Sequence, residues 1–263
     1  MHGFEFKTQP YDHQRKALEA SWAADYFALF MEMGTGKSKV AIDNVGVLYE
    51  AGKINAVLVI APKGVYHNWA KREIDLHLPD RIPRKIFSWK PVVSKKYERE
   101  LTDFMVEKHD GVKVFCVNVE AFSSRRGTEA AVTYLHHNPD NMIIVDESTT
   151  IKNRKALRTK NIMALQKESK YRRILTGSPV TKSPMDLFSQ CNFLEEKALG
   201  FNSYFAFMGR YANVVKRTMG HKSFQEIVGY RRLDELSEKL NRFSYRVLKE
   251  ECLDLPPKVY VKR

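Results

Sequence analysis

Two rhythms of apolar residues divide the chain. Unbroken runs such as "YFALFM", "NAVLVIAP", "VKVFCVN" and "NMIIVD" lack polar alternation, which suits strands covered on both faces, the habit of parallel sheets. Between them, apolar residues recur at helical spacing: "HQRKALEASWAA" behind the cap Asp12, "KVAIDNVGVLYEAG" closing on Gly52, "VYHNWAKREIDLHL", a stretch from Lys95 to about His109, "EAAVTYLHH" and "LRTKNIMALQ". Short strands near "RKIFSW" and within "YRRILTGSP" continue the alternation. Strand and helix in turn predict an α/β fold, a mostly parallel central sheet with helices on both faces.

Beyond Pro184 the rhythm changes. "MDLFSQCNFLEE", "SYFAFMGRYANV" and "RLDELSEKLNRF" are amphipathic and helical, with "VVKRTMGHKSFQEIVGY" between them as a basic hairpin. The expected division is therefore an α/β core over residues 1–183 and a mainly helical C-terminal appendage over 184–263, with no flexible linker between.

Composition narrows the class. A chain of 263 residues can bury roughly three quarters of its extended surface and needs no external staple. The cysteines, Cys116, Cys191 and Cys252, are odd in number and scattered, which excludes a disulfide framework or paired zinc spacing and predicts a reducing interior. Neither a leader-like start nor an apolar run of membrane length occurs, so the expectation is a soluble, unexported protein, cytoplasmic or associated with nucleic acid. Lys and Arg number 44 against 31 Asp and Glu, a net charge of +13 spread through globular sequence, and that favours a polyanion such as DNA or RNA over a membrane.

The candidate chemistry lies at two strand ends. "GTGKS", Gly34 to Ser38, follows a strand and opens a helix, as a phosphate loop must. Glycines admit backbone amides close to phosphates, and the helix start adds a favourable dipole. In this reading Met33, Gly34, Thr35, Gly36, Lys37 and Ser38 surround the phosphates of ATP, Lys37 meets the β and γ groups, and Ser38 holds Mg2+. The first glycine of the long form of the pattern is replaced by Met31. Asp146 and Glu147 follow the strand "NMIIVD", at the carboxyl edge where parallel sheets place ligands. Asp146 is the second candidate for Mg2+ and Glu147 the candidate for orienting water, so Lys37, Asp146 and Glu147 form the candidate catalytic set.

In order along the chain, "YDHQ", "MEMGTGKS", "VLVIAPKGVYHNW", "VDESTTIKN", "RRILTGSPV" and "LFSQCNFL" resemble the motifs of superfamily 2 helicases, and most of all the Swi/Snf-type DNA translocases. The terminal "SYRVLKEECLDLPPK" is similar to the segment that closes that branch's first motor lobe. The resemblance covers nearly the whole chain. It implies a RecA-like first lobe in which Gln14 reads adenine, and Thr176, Gly177 and Ser178 couple the ATP site to nucleic acid. It also implies that Pro62, Lys63 and Asn68 follow a DNA backbone, with Lys152 and Asn153 as further DNA candidates. Tyr11 is open between packing the base and an ordinary aromatic, and Trp69 between the DNA segment and the core.

Two departures from the family pattern carry consequences. Thr149 stands where the family has His, at the place from which loss of the γ-phosphate is communicated. No second lobe follows within this chain, and the arginine fingers of the family belong to that lobe. The resulting expectation is a monomeric lobe that binds ATP better than it hydrolyses it, and that works with duplex DNA and a second RecA-like lobe. A strand-separating helicase, a small-molecule kinase and a nucleotide-gated binding module remain alternatives at this level.

Overall fold

The computed structural model describes residues 3–91, 94–219 and 222–252. Its centre is a sheet of seven strands: β1 (Tyr26–Met31), β2 (Ala56–Ala61), β3 (Arg84–Ser88), β4 (Val112–Asn118), β5 (Asn141–Asp146), β6 (Tyr171–Leu175) and β9 (Ser244–Val247). Their order is β3-β4-β2-β5-β6-β1-β9, and every neighbouring pair is parallel. The apolar runs explain this directly. In β1, Ala28 and Phe30 enter one core while Phe27, Leu29 and Met31 enter the other; in β5, Ile143 and Val145 part from Met142 and Ile144 in the same way. Successive residues of a strand face opposite sides, so a strand with two buried faces tends to be apolar at successive positions, and polar exceptions such as Lys113 of β4 and Arg172 and Arg173 of β6 need internal partners.

One face is covered by α1 (Asp12–Ser21), α2 (Lys37–Glu50) and a composite helix made of α3 (Tyr66–Asn68), a π-helical turn (Trp69–Glu73) and α4 (Ile74–His77). The opposite core takes residues from α5 (Lys95–Val106), α6 (Arg125–His137), α7 (Leu157–Ala164), α8 (Leu187–Leu194) and α9 (Tyr204–Tyr211). Arg173 of β6 ties the first face together. It is wholly buried, yet its guanidinium donates to Asn44 Oδ1 at 2.9 Å and to the carbonyls of Ser21 and Ala24 at 2.8 and 2.7 Å. Burial pushes it down to about 9, and the ring of carbonyl acceptors compensates the loss of water.

The expected basic hairpin is present as β7 (Ala212–Met219) and β8 (Lys222–Tyr230), an antiparallel pair outside the main sheet, followed by α10 (Leu233–Asn241). At one point the structure differs from the expected division at residue 184. After α10 the chain returns to the sheet, and Ser244–Val247 becomes the edge strand β9 beside β1. Only Val247 of that strand is buried, so it lacks the long apolar run that marks β1, β2 and β5. α11 (Lys249–Cys252) follows, and the rest of the "SYRVLKEECLDLPPK" segment lies outside the described residues. No helix among the described residues is long and apolar enough to cross a membrane.

Candidate functional site

The sheet order β5-β6-β1 sets the geometry of the site, because it brings three connections together at adjacent carboxyl ends. The loop after β1 carries the phosphate-loop residues. Gly34 and Gly36 adopt φ of 86° and 85°, the left-handed region that side chains avoid. At Gly36 the restriction is also spatial, since an added Cβ would stand 2.2 Å from Gln14 Nε2. α2 then begins at Lys37, with exposed Met33 and half-buried Ser38 on either side of the turn.

Lys37 Nζ lies 3.3 Å from Glu147 Oε1, so the loop after β1 meets the acids after β5 across the end of β6. Glu147 holds a left-handed backbone, φ 48° and ψ 59°, which costs a non-glycine residue about 1 kcal/mol or more and turns its carboxylate out of the strand. Asp146 Oδ1 accepts the Glu147 N–H at 2.9 Å and so supports that turn. Its Oδ2 accepts the Trp69 indole N–H at 2.9 Å. Burial pushes the Asp146 carboxyl above its ordinary range, while the Trp69 N–H and the nearby Lys37 charge pull it back.

Thr176 and Gly177 fill the space between these two connections. Thr176 Oγ1 is 3.4 Å from Glu147 Oε2, and the Thr176 N–H donates to Leu29 O of β1 at 3.2 Å. A Cβ on Gly177 would come 3.2 Å from Glu32 Cα and Met33 N, so the small residue lets the connection lie against the phosphate loop. Ser178 is exposed and its N–H donates to Thr176 Oγ1 at 3.2 Å. Gln190 of α8, not singled out as a site residue from sequence, joins the two loops: it accepts from Ser148 Oγ at 2.7 Å and donates to Pro179 O at 2.8 Å. A glutamine flanked by the apolar residues of "LFSQCNFL" was the available signal.

Gln14 is buried against the phosphate loop. Its Nε2 donates to Thr35 O at 3.1 Å and its Oε1 accepts the Tyr11 N–H at 3.0 Å, so in this structure both ends of the amide serve the protein. His13 reaches the same Thr35 carbonyl at 2.9 Å, and exposed Tyr11 stacks on the His13 ring. Beside them opens a cavity of about 500 Å³ lined by Tyr11, Lys16, Tyr245, Arg246 and Glu250 among others, large enough for a purine base.

The residues expected along DNA separate into distinct places. Pro62 is half-buried and Lys63 exposed at the end of β2, while exposed Asn68 donates to Glu73 Oε1 at 3.2 Å. Lys63 lines a cavity of about 510 Å³ with Tyr66, Asn118, Ser124 and Arg126. Lys152 bonds Thr181 and lies 3.9 Å from Asp186, and exposed Asn153 accepts the Lys155 N–H at 3.1 Å. Trp69 resolves to the core, 1 % exposed, and so leaves the DNA segment. Its indole both buries a large area and reaches Asp146, two roles that spacing alone does not distinguish.

The donor set suits a hard cation bound together with phosphates. Asp146 offers a carboxylate and Ser38 a hydroxyl, and Mg2+ is usually held by one or two carboxylates with phosphate and water completing its shell. Among the described residues there is no cluster of three or more His, Cys, Asp or Glu.

Comparison with known proteins agrees with this architecture. The chain is similar to the bovine "DNA annealing helicase and endonuclease ZRANB3", 29% identical over 229 residues, which is 87% of this chain and 20% of the relative. It is 26% identical over 228 residues to the human "SWI/SNF-related matrix-associated actin-dependent regulator of chromatin subfamily A containing DEAD/H box 1", covering 86% of this chain and 21% of that protein. It thus spans about a fifth of the length of these curated relatives. In fold it matches the "Sulfolobus solfataricus SWI2/SNF2 ATPase core in complex with dsDNA" with a TM-score of 0.66 and 21% identity, over 94% of this chain and 46% of that one. The SNF2-related domain matches residues 14–263, from the glutamine against the phosphate loop to the last residue, and the chain belongs to that family.

Proposed function

We propose that this chain is the ATP-binding lobe of a DNA-dependent ATPase that translocates along duplex DNA together with a second RecA-like lobe. The observation that carries the reading is the meeting of Lys37, Glu147 and Thr176 at the ends of three neighbouring strands. Backbone amides from Met33 to Ser38 receive the phosphates, and Lys37 neutralises the β and γ groups. Ser38 and Asp146 would hold Mg2+, which would supply charge neutralisation to the phosphates. Glu147 is engaged by Lys37 at 3.3 Å. Phosphate competes for that lysine, and Glu147 is released to orient water. Thr176, touching both Glu147 and β1, passes the difference on through Gly177 and Ser178.

The second lobe supplies what this one lacks. An arginine finger contributes roughly 10³ to 10⁵ in rate, so the isolated lobe binds ATP with little turnover. Trp69 is a positioning residue in this scheme, because its N–H holds the metal-binding carboxylate. Trp69→Phe keeps most of the buried ring and deletes the donor. Calorimetry is expected to show Mg2+-dependent ATP affinity reduced roughly tenfold, with binding in EDTA unchanged. An equal loss in both conditions would show that the indole acts only as packing.

Pro62, Lys63 and Asn68 are proposed to follow the duplex backbone, with Lys152 and Asn153 as further contacts. Phosphate contacts carry no direct base information, so unrelated duplexes are expected to bind alike. If about four phosphates are neutralised, the slope of log affinity against log salt is roughly −3 to −4 by counterion release. Fluorescence anisotropy over a salt series checks both points. A salt-independent affinity, or strong preference for one duplex, assigns the basic surface to another partner.

A further inference from the structure

A groove away from the nucleotide site holds, beside the proposed duplex contacts Lys152 and Asn153, an exposed aromatic ring and further cations that neither ATP binding nor backbone tracking uses. It has a volume of about 460 Å³ and lies between the loop after β5, α9 and β8. Its basic side is Lys152, Arg154 and Lys155, and its aromatic side Tyr204 and Phe205. Phe205 is 63% exposed, in the first turn of a helix whose cap, Ser203 Oγ, accepts the Ala206 N–H. The Arg154 guanidinium lies 4.4 Å from the Tyr204 ring centroid and 5.3 Å from that of Phe205, so the aromatic pair is held beside a fixed cation.

The hairpin completes the groove. Val214 pairs with Ile227 and both pack on the core, which fixes the inward face of the hairpin. The next pair on that face is Lys216 with Gln225, and Gln225 lines the groove. The acid in the groove, Asp186, is already engaged by Thr181 and by the Lys182 N–H, with Lys152 at 3.9 Å. Among the described residues no carboxylate forms an ion pair with Arg154, Lys155 or Lys216. The surface is thus cationic, with one exposed aromatic ring and amide groups from Asn153 and Gln225.

We propose that this groove is a second nucleic-acid site, one that takes unpaired nucleotides. Lys155, Arg154 and Lys216 meet the phosphates and Phe205 is the platform for a base. The inference rests on the reading of the chain as a nucleic-acid motor lobe, and adds a different ligand. A stacking platform serves only a base whose face is free, and the bases of a duplex are already stacked. The cavity beside Lys63 shares no lining residue with this groove, whereas Lys152 and Asn153, proposed above for the duplex backbone, line it, so a strand leaving the duplex at those two residues meets Arg154, Lys155 and Phe205. Apolar contact with Phe205 also favours a base over a purely anionic partner such as an acidic peptide, because phosphate charge alone does not need the ring.

The test uses the 263-residue chain with fluorescein-labelled oligothymidylate and a duplex of equal length, read by anisotropy at fixed salt. Phe205→Ala is expected to weaken oligothymidylate binding roughly tenfold, the scale of one lost base stack, and to leave duplex affinity within about twofold. Phe205→Trp restores single-strand binding, and Lys155→Gln lowers the single-strand salt slope by about 0.7. Phe205 is exposed, and unchanged melting curves confirm that the variants are folded. Equal losses on both DNAs, no loss on either, or competition by polyglutamate as strong as by unlabelled oligothymidylate overturn the site. Duplex binding by wild type without oligothymidylate binding overturns this inference alone, whereas binding of neither overturns the motor-lobe reading with it.

Discussion

Replacing Lys37 with alanine is expected to lower Mg2+-ATP affinity by about 10- to 100-fold. The lysine is the first residue of α2, 9% exposed, and pairs with Glu147. A charge-assisted hydrogen bond contributes roughly 1.5 to 3 kcal/mol, and its loss leaves phosphate charge without the nearest cation. Alanine is also a strong helix former, so Lys37→Ala does not break the start of α2. The effect on binding therefore separates from an effect on folding. Calorimetric titration of wild type and variant, each checked by thermal melting, measures it, and equal affinities contradict the assignment of the phosphate loop.

The second large effect falls on hydrolysis rather than binding. In a protein that carries both motor lobes, Glu147→Gln should reduce phosphate release by about 10²- to 10⁴-fold while ATP affinity changes little. Glutamine keeps the side-chain length and the hydrogen-bond reach toward Thr176, but cannot accept a proton or hold Lys37 by charge. Asp146→Asn differs, because it alters the carboxylate that both Trp69 and the Glu147 backbone address. That variant should lose metal-dependent binding as well. Turnover by Glu147→Gln at the wild-type rate would reject the division of labour between the two acids.

The parts of this account that were readable in the sequence share a physical cause. Strands buried on both faces are apolar at most successive positions, so β1, β2, β4 and β5 announce themselves, and the acids at the end of β5 stand out against that background. The phosphate loop is equally local, since its two left-handed glycines leave their mark in consecutive residues. What escaped depends on contacts between distant segments. β9 is an edge strand with one buried residue, and its pairing with β1 joins positions more than two hundred residues apart.

The same limit applies at the site. Trp69 and Asp146 are 77 residues apart, and a tryptophan in an amphipathic helix has the same periodicity whether or not its N–H finds a carboxylate. The π-helical turn that begins at Trp69 leaves no trace in hydrophobic spacing either. Gln14 divides the same way: the resemblance at "YDHQ" assigns it to adenine, which stands as a proposal, while its bonds to Thr35 O and the Tyr11 N–H come from the fold and leave no mark in spacing.

The central claim is that ATP chemistry at Lys37, Asp146 and Glu147 answers to duplex DNA. Its most direct test is steady-state phosphate release by the longest natural protein containing these residues, with and without duplex DNA, at saturating Mg2+-ATP. The expected result is slow release without DNA, a rise of at least about tenfold when duplex is added, well within what a completed arginine-finger site allows, and loss of that rise in Lys37→Ala. Release that is indifferent to duplex, or stimulated equally in Lys37→Ala, would contradict it.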